Sequence, residues 1–183
     1  MTAVPDQSSR HLLRDADRAL LLALRTRGHD PRLERALAGY SRLGEHAACW
    51  IVLGLAGAAL DGDEGRARRW LRGCGVVLGA YGVNFAVKLA VRRGRPELPE
   101  LPPLTPTVSR LSFPSAHATT SFAAAAAYRG LAPSRALYGA ALLFALTRPY
   151  LGVHYPSDVV AGALLGTALG LAADELFDAA GVA

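Results

Sequence analysis

The 183-residue chain is short of several things, and each shortage narrows what it can be. It has two cysteines, Cys49 and Cys74, both inside apolar stretches and with no CxxC spacing. That pattern excludes a disulfide scaffold or a cysteine metal site, and both side chains read as small core residues. Aromatic residues make up 7% of the chain and are not interleaved with the basic ones. The net charge of +5 and the pI near 9.7 therefore do not point to nucleic acid. Charged residues are 19% of the total, against about 25% in an ordinary soluble domain, and a 51% hydrophobic content excludes a disordered chain. No basic-then-apolar leader with a cleavage site opens the sequence, so insertion into a membrane is expected to rely on internal segments. The length suits one domain.

Charge is also scarce locally. Windows at 46–60, 73–87, 111–128, 136–147 and 159–173 hold no charged residue. Each is shorter than the roughly 20 residues that cross a 30 Å hydrocarbon slab, so each alone also suits a buried helix of a compact soluble domain. Extended by flanking arginines that reach the headgroups, they become segments at 43–60, 71–91, 113–131, 134–152 and 158–177. The expectation is an all-α fold, a multi-pass transmembrane helical bundle of the cell membrane with about five membrane-spanning helices. The embedded domain covers 43–177 and an amphipathic N-terminal region covers 1–42.

Within that region Leu12, Leu13, Ala16, Ala19, Leu20, Ala23 and Leu24 recur at helical spacing over 9–26. Such a helix either lies in the membrane interface or covers the bundle. Gly28 and Asp30-Pro31 break it, and a second short helix is expected over Arg32–Arg42. Small residues such as Gly162 and Gly166 let neighbouring helices approach closely in lipid. The stretch 94–115 holds six of the eleven prolines and cannot be helical. With five crossings, the N-terminal region, this loop and the 148–157 connection share one membrane face.

Three polar clusters then meet on that face. The chain has one lysine against 19 arginines, so Lys88 stands out. Seven residues later comes Arg95-Pro96, which on a continuing helix shares its face, with Arg92 between. An ammonium and a forked guanidinium suit a phosphate dianion, though two snorkelling cations read the same way. Next comes Phe113-Pro114-Ser115-Ala116-His117. Ser115 reads as an N-cap, with free backbone N–H groups behind it forming an anion site. Last come Thr147-Arg148, His154 and Asp158. Ser157 can cap the final helix, and a carboxylate four residues after an imidazole can orient it.

Lys, six residues, Arg-Pro; Pro-Ser-x-His; Arg, five residues, His, three residues, Asp: in that order the residues resemble the signature of the type-2 phosphatidic acid phosphatase superfamily. The likeness spans 88–158, and the apolar layout extends it to 43–177. Two positions depart from the family's usual pattern: Ala116 stands where glycine is common, and Thr147 where serine is. The resemblance implies that His154 attacks phosphorus to form a phosphohistidine, that Asp158 orients it, and that His117 is the general acid and base. It implies that Lys88, Arg95, Ser115, Arg148 and the backbone at Ala116 hold the phosphoryl oxygens. It also implies that no metal or other cofactor takes part, and no Asp/Glu/His cluster in the sequence has ligand spacing.

The implied substrate is a membrane lipid phosphate or pyrophosphate. The wording of Arg110–His117 is similar to actinobacterial members, which favours a polyprenyl-linked substrate such as decaprenylphosphoryl-phosphoribose. Undecaprenyl pyrophosphate and phosphatidylglycerophosphate are alternatives, and a non-catalytic lipid-phosphate-binding protein is the alternative of another class. The expected partners are the bilayer and the lipid.

Overall fold

A computed structural model describes residues 7–179; the first six residues of the expected N-terminal region lie outside them. The described residues form helices α1 (Gln7–Thr26), α2 (Pro31–Leu43), α3 (Ala48–Leu60), α4 (Glu64–Val91), α5 (Ala116–Ala127), α6 (Ser134–Tyr150) and α7 (Pro156–Ala179). A single 3₁₀ turn, Glu45–Ala47, joins α2 to α3, and pairing among the described residues is limited to two isolated bridges.

The bundle is built around α5. Ala118 and Ala123–Ala126 are fully buried, and their small side chains let other helices come close to the α5 backbone. Helix α7 comes closest. Gly162, Gly166 and Gly170, spaced four apart on one face, lie directly against it. A Cβ on Gly166 would sit 2.1 Å from the Thr119 carbonyl oxygen, and one on Gly162 would sit 2.6 Å from that of Ser115. At the far end of α5, Tyr128 fills a notch over Gly54 and Gly73, where added Cβ atoms would lie 2.3 and 2.2 Å from its side chain. Its hydroxyl donates to the Trp50 carbonyl at 3.0 Å, and the Trp50 indole N–H donates to Ser121 Oγ at 2.9 Å. These aromatics bury their bodies and still satisfy their polar atoms. Cys49 and Cys74 are free thiols.

Two helices, Glu64–Val91 and Pro156–Phe177, are long and apolar enough to cross a membrane alone; α2 and α3 pass that test as a pair bent by 49°. At about 1.5 Å per residue, the 17 residues of α6 and the 12 of α5 fall short of a full hydrocarbon slab. Helix α5, expected within a span over 113–131, is the shielded axis that the others surround.

Helix α1 is amphipathic, but it docks the other way round from a simple apolar-in arrangement. Leu12, Leu13 and Leu20 are 69%, 70% and 51% exposed, whereas Asp17, Leu21 and Arg25, four apart, are 8%, 0% and 5% exposed. The helix thus turns Asp17 and Arg25, with Leu21 between them, to the protein and Leu12, Leu13 and Leu20 outward, an arrangement that suits an interfacial helix. Arg25 donates to the Pro102 carbonyl at 2.8 Å and the Tyr150 carbonyl at 3.3 Å, pinning the proline-rich loop and the α6–α7 connection. Gly152 lies under it with φ of +76°, and a Cβ there would meet Arg25 Nε at 2.8 Å.

The packing account separates two glycines. Gly166→Ala puts a methyl group into the α5 backbone and is expected to cost about 1–3 kcal/mol or more, despite alanine's better helix propensity. Gly75→Ala faces open space and is expected to raise stability by about 0.5–1 kcal/mol. Thermal unfolding of the two variants in detergent checks the opposite signs.

Candidate active site

Lys88 and Arg95 reach the site by different routes. Helix α4 ends at Val91, with Arg92 in the left-handed region (φ 54°), so Arg95 comes from the following loop and not from a continuing helix. That loop is closed at its base, where Ser112 N–H donates to the Arg93 carbonyl at 2.7 Å beside the Gly94–Leu111 bridge. The Lys88 ammonium donates to the carbonyls of Leu111, Ser112 and Pro114 at 3.3, 3.1 and 2.7 Å. Three donors at one point are what an ammonium offers and a planar guanidinium does not. Asn84, one turn earlier, donates to Pro114 O at 3.2 Å and Thr119 Oγ1 at 2.9 Å. The two side chains therefore hold 111–114 while the charge of Lys88 stays on the cavity wall.

His154 is buried at the end of the α6–α7 connection. Arg95 Nη1 lies 3.1 Å from its Nε2 and also donates to Val153 O at 2.7 Å; Arg95 Nε donates to Ser109 O at 2.6 Å. A guanidinium only donates, so Nε2 must present its lone pair and the ring proton sits on Nδ1. Nδ1 faces Ser112 Oγ at 3.3 Å and Asp158 Oδ2 at 3.5 Å, and Ser112 Oγ donates a short hydrogen bond to that same carboxylate oxygen. Burial, followed by the charges of Arg95, Arg148 and Lys88, holds the His154 imidazole well below its ordinary pKa. The ring is accordingly neutral at physiological pH, with its Nε2 lone pair accepting from Arg95 Nη1.

Asp158 is fully buried and fully used. Its Oδ2 accepts from the Tyr155 N–H at 2.9 Å, the return half of a capping box that starts α7. Ser157, expected as the cap, lies inside the first turn, because Pro156 takes the first helical position. Asp158 Oδ1 accepts from Arg93 at 2.9 Å, and Arg93 also donates to Asp17 of α1 at 2.6 Å. Asp17 accepts in addition from the Ser157 hydroxyl at 2.5 Å and the Ser157 N–H at 2.9 Å. The imidazole is therefore tied through Asp158 and Arg93 to the N-terminal helix.

Across the cavity, His117 Nε2 is 3.0 Å from the Ser41 carbonyl oxygen, so Nε2 carries a proton and Nδ1 is the nitrogen left to exchange one. Arg148 is buried, and its Nη1 donates a short hydrogen bond to Ser41 Oγ. Ser115 stands at the N-cap position of α5 but makes no capping bond; its hydroxyl and Arg148 Nε are buried without a hydrogen-bond partner among the described residues. The Ser115 N–H donates to the Asp158 carbonyl at 2.9 Å, which fastens α7 to the start of α5. Ala116 has no positive φ, so alanine fits there without strain. The Thr147 hydroxyl donates to Phe144 O at 2.7 Å within α6 and takes no part in the cavity.

Lys88, Arg95, Ala116, His117, Arg148 and His154 line one cavity of about 130 Å³, with the exposed side chains of Phe85 and Val108 at its edge. All the sequence-derived positions except Ser115 and Asp158 are on its wall; Asp158 is 3.5 Å from the lining His154, and Ser115 immediately precedes the lining Ala116. Sequence reasoning missed Ser112, Arg93, Asp17, Ser41 and Asn84. Asn84 alone carried a usable signal, a polar residue inside an apolar span one turn from the only lysine.

A cationic floor, a neutral imidazole backed by a carboxylate, and a second imidazole opposite are an arrangement that suits phosphoryl transfer within a helical bundle. The comparisons agree with that class: the chain belongs to the PAP2 superfamily, whose family profile matches residues 69–179. Its relatives include the decaprenylphosphoryl-5-phosphoribose phosphatase of Mycobacterium tuberculosis, 41% identical over 149 residues, covering 80% of this chain and 81% of that one. The protein of the same name from Mycolicibacterium smegmatis is 45% identical over 126 residues, 67% of each chain. The crystal structure of the transmembrane PAP2-type phosphatidylglycerolphosphate phosphatase from Bacillus subtilis shares the fold. It has a TM-score of 0.72 at 24% identity, covering 91% of this chain and 87% of that one. Aquifex aeolicus LpxE superposes with a TM-score of 0.68 at 21% identity, covering 86% and 93%.

The Asp17 network makes a specific demand. Asp17→Asn weakens the hold on Arg93 and through it on Asp158, and kcat is expected to fall about tenfold with a smaller change in KM. Steady-state kinetics beside thermal unfolding of the same variant checks this.

Proposed function

We propose that this PAP2-family lipid phosphatase, seated in the cell membrane, hydrolyses the phosphomonoester of a polyprenyl-linked phosphoribose through a phosphohistidine at His154. The observation that carries the mechanism is the pairing of His154, with its Nε2 lone pair on the cationic side and its Nδ1 proton on the Ser112–Asp158 side. The names and identities of the mycobacterial relatives favour the substrate, and the apolar edge at Phe85 and Val108 suits a lipid chain.

The steps follow from the arrangement. Arg95 Nη1 exchanges His154 Nε2 for a phosphoryl oxygen; the freed Nε2 lone pair attacks phosphorus, an N–P bond forms, and the P–O bond to the sugar breaks. His117, which carries protons on both ring nitrogens at this step, gives the one on Nδ1 to the leaving oxygen and is left neutral, with Nε2–H still on the Ser41 carbonyl. Asp158 and Ser112 stabilise the positive charge that develops on the His154 ring. Arg95, Arg148, the Ser115 hydroxyl and the backbone N–H groups at Ala116 and His117 hold the three phosphoryl oxygens as charge shifts onto them. Lys88 adds its field and keeps the loop in place. His117 then takes a proton from water, the oxygen attacks phosphorus, and the N–P bond breaks to release inorganic phosphate and free His154. No step calls for a metal ion.

Phosphate release by the purified protein in detergent tests this reading. Activity is expected to persist with a chelator, to be inhibited by vanadate, and to fall at least about a thousandfold in His154→Ala and His117→Ala proteins that still fold. Retention of turnover in His154→Ala overturns the nucleophile assignment.

The charge around His154 gives a pH prediction. A nearby cation disfavours the imidazolium and so lowers its pKa; removing the cation raises it. In Arg95→Gln a larger fraction of His154 is protonated at a given acidic pH. The acid limb of the normalised kcat/KM profile, which reports the free enzyme, is expected to move to higher pH than in the wild type.

A further inference from the structure

The wall of the cavity opposite the loop is made by the bend between α2 and α3, a part of the chain outside the matched family region. It is tightly built. Ser41 holds His117 through its carbonyl and Arg148 through its hydroxyl. Gly44 lies so close that a Cβ would meet the His117 ring at 3.0 Å and Phe144 at 2.9 Å. His46 and Ala47 follow with φ of 53° and 61°, a left-handed conformation that side-chain-bearing residues adopt only when the surroundings impose it, and one that clusters at functional sites. His46 Nδ1 is hydrogen-bonded to the Tyr81 hydroxyl at 3.1 Å.

Glu45 sits in the middle of this bend. It lines the cavity and is partly exposed, and its carboxylate makes no hydrogen bond or ion pair among the described residues, although its field reaches Arg148. A carboxylate on the wall of a cavity whose other charges are cationic has a definite chemical meaning. It accepts hydrogen bonds and donates none, and it repels a second anion in a confined, weakly screened space.

We infer that Glu45, presented by the strained 44–47 bend beside His46 and Tyr81, recognises the group esterified to the phosphate, favouring a hydroxyl-bearing sugar and rejecting a second phosphoryl group. The sugar arm of this inference rests on the proposed substrate; the charge arm does not. Hydroxyls of a ribose ring donate to the carboxylate, which draws the ring to this side and leaves the phosphate on the cationic side. A diphosphate places its second anionic group where the sugar otherwise lies.

The test compares wild type and Glu45→Gln, a variant of equal size at a position with no hydrogen bond to lose, on three substrates in the same detergent. These are a polyprenyl-phosphoryl phosphoribose, a polyprenyl diphosphate of equal chain length, and phosphatidic acid as a monoester with no hydroxyl near its phosphate. In Glu45→Gln the ratio of kcat/KM for the phosphoribose over phosphatidic acid is expected to fall about tenfold, mainly through KM. The ratio for the diphosphate over phosphatidic acid is expected to rise several-fold. A role confined to structure or to neutralising Arg148 moves all three substrates together, and equal changes, or none, overturn the inference. If the wild type releases no phosphate from the phosphoribose but does so from the other two, the substrate proposal fails by itself. The diphosphate ratio then still decides the charge arm, and an unchanged ratio overturns it.

Discussion

Backbone contact between α5 and α7 is the constraint on which the site depends. Glycines at 162, 166 and 170 keep side chains out of three successive turns of α7 where it meets α5, so the two helices approach there to a distance that no larger residue allows. At the top of that contact the Asp158 carbonyl accepts from the Ser115 N–H. The start of one helix, carrying Asp158 and preceded by His154, is thereby fixed to the start of the other, carrying His117. In a bilayer no hydrophobic drive brings helices together, and close fit supplies the attraction instead.

The cations then face a cost that the fold meets in different ways. Arg95 satisfies itself on the Ser109 and Val153 carbonyls as well as on His154. Lys88 spends all three donors on the loop. Arg148 is left with a buried Nε that has no partner among the described residues, and such groups are rare unless a site uses them. Burial first, and then the positive field of the three, lowers the His154 pKa. In the proposed mechanism one set of charges thus serves both the phosphate and the His154 imidazole.

How much of this was legible in the sequence depended on whether a residue's role was local. The apolar windows located helices α3 to α7, because burial leaves a periodic record along the chain. The spaced motif residues came together as expected, since chain order and helix count fix which ends meet. The docking face of α1 was not legible. A helix wheel separates leucines from charges but does not say which side meets protein, and here Asp17 and Arg25 go inward because Arg93 and the Pro102 carbonyl await them. Ser112 and Ser41 were equally hidden, since an ordinary serine acquires meaning only from a partner 46 or 107 residues away. The apolar segment 71–91 ends where α4 does, but the helix does not continue to Arg95, because Arg92 adopts a left-handed angle that its sequence does not advertise. The strained bend at 46–47 lies at the edge of an apolar window, where composition carries no trace of backbone geometry.

The central claim is that phosphorus becomes bonded to one particular nitrogen. The most direct measurement uses lipid substrate carrying radioactive phosphate, mixed with the purified protein, quenched rapidly in alkali and mapped by peptide. The account predicts label on His154, stable to alkali and lost in acid, and its disappearance in His154→Ala. Label on another residue, or full turnover with no labelled protein under conditions that trap a phosphohistidine, would contradict it.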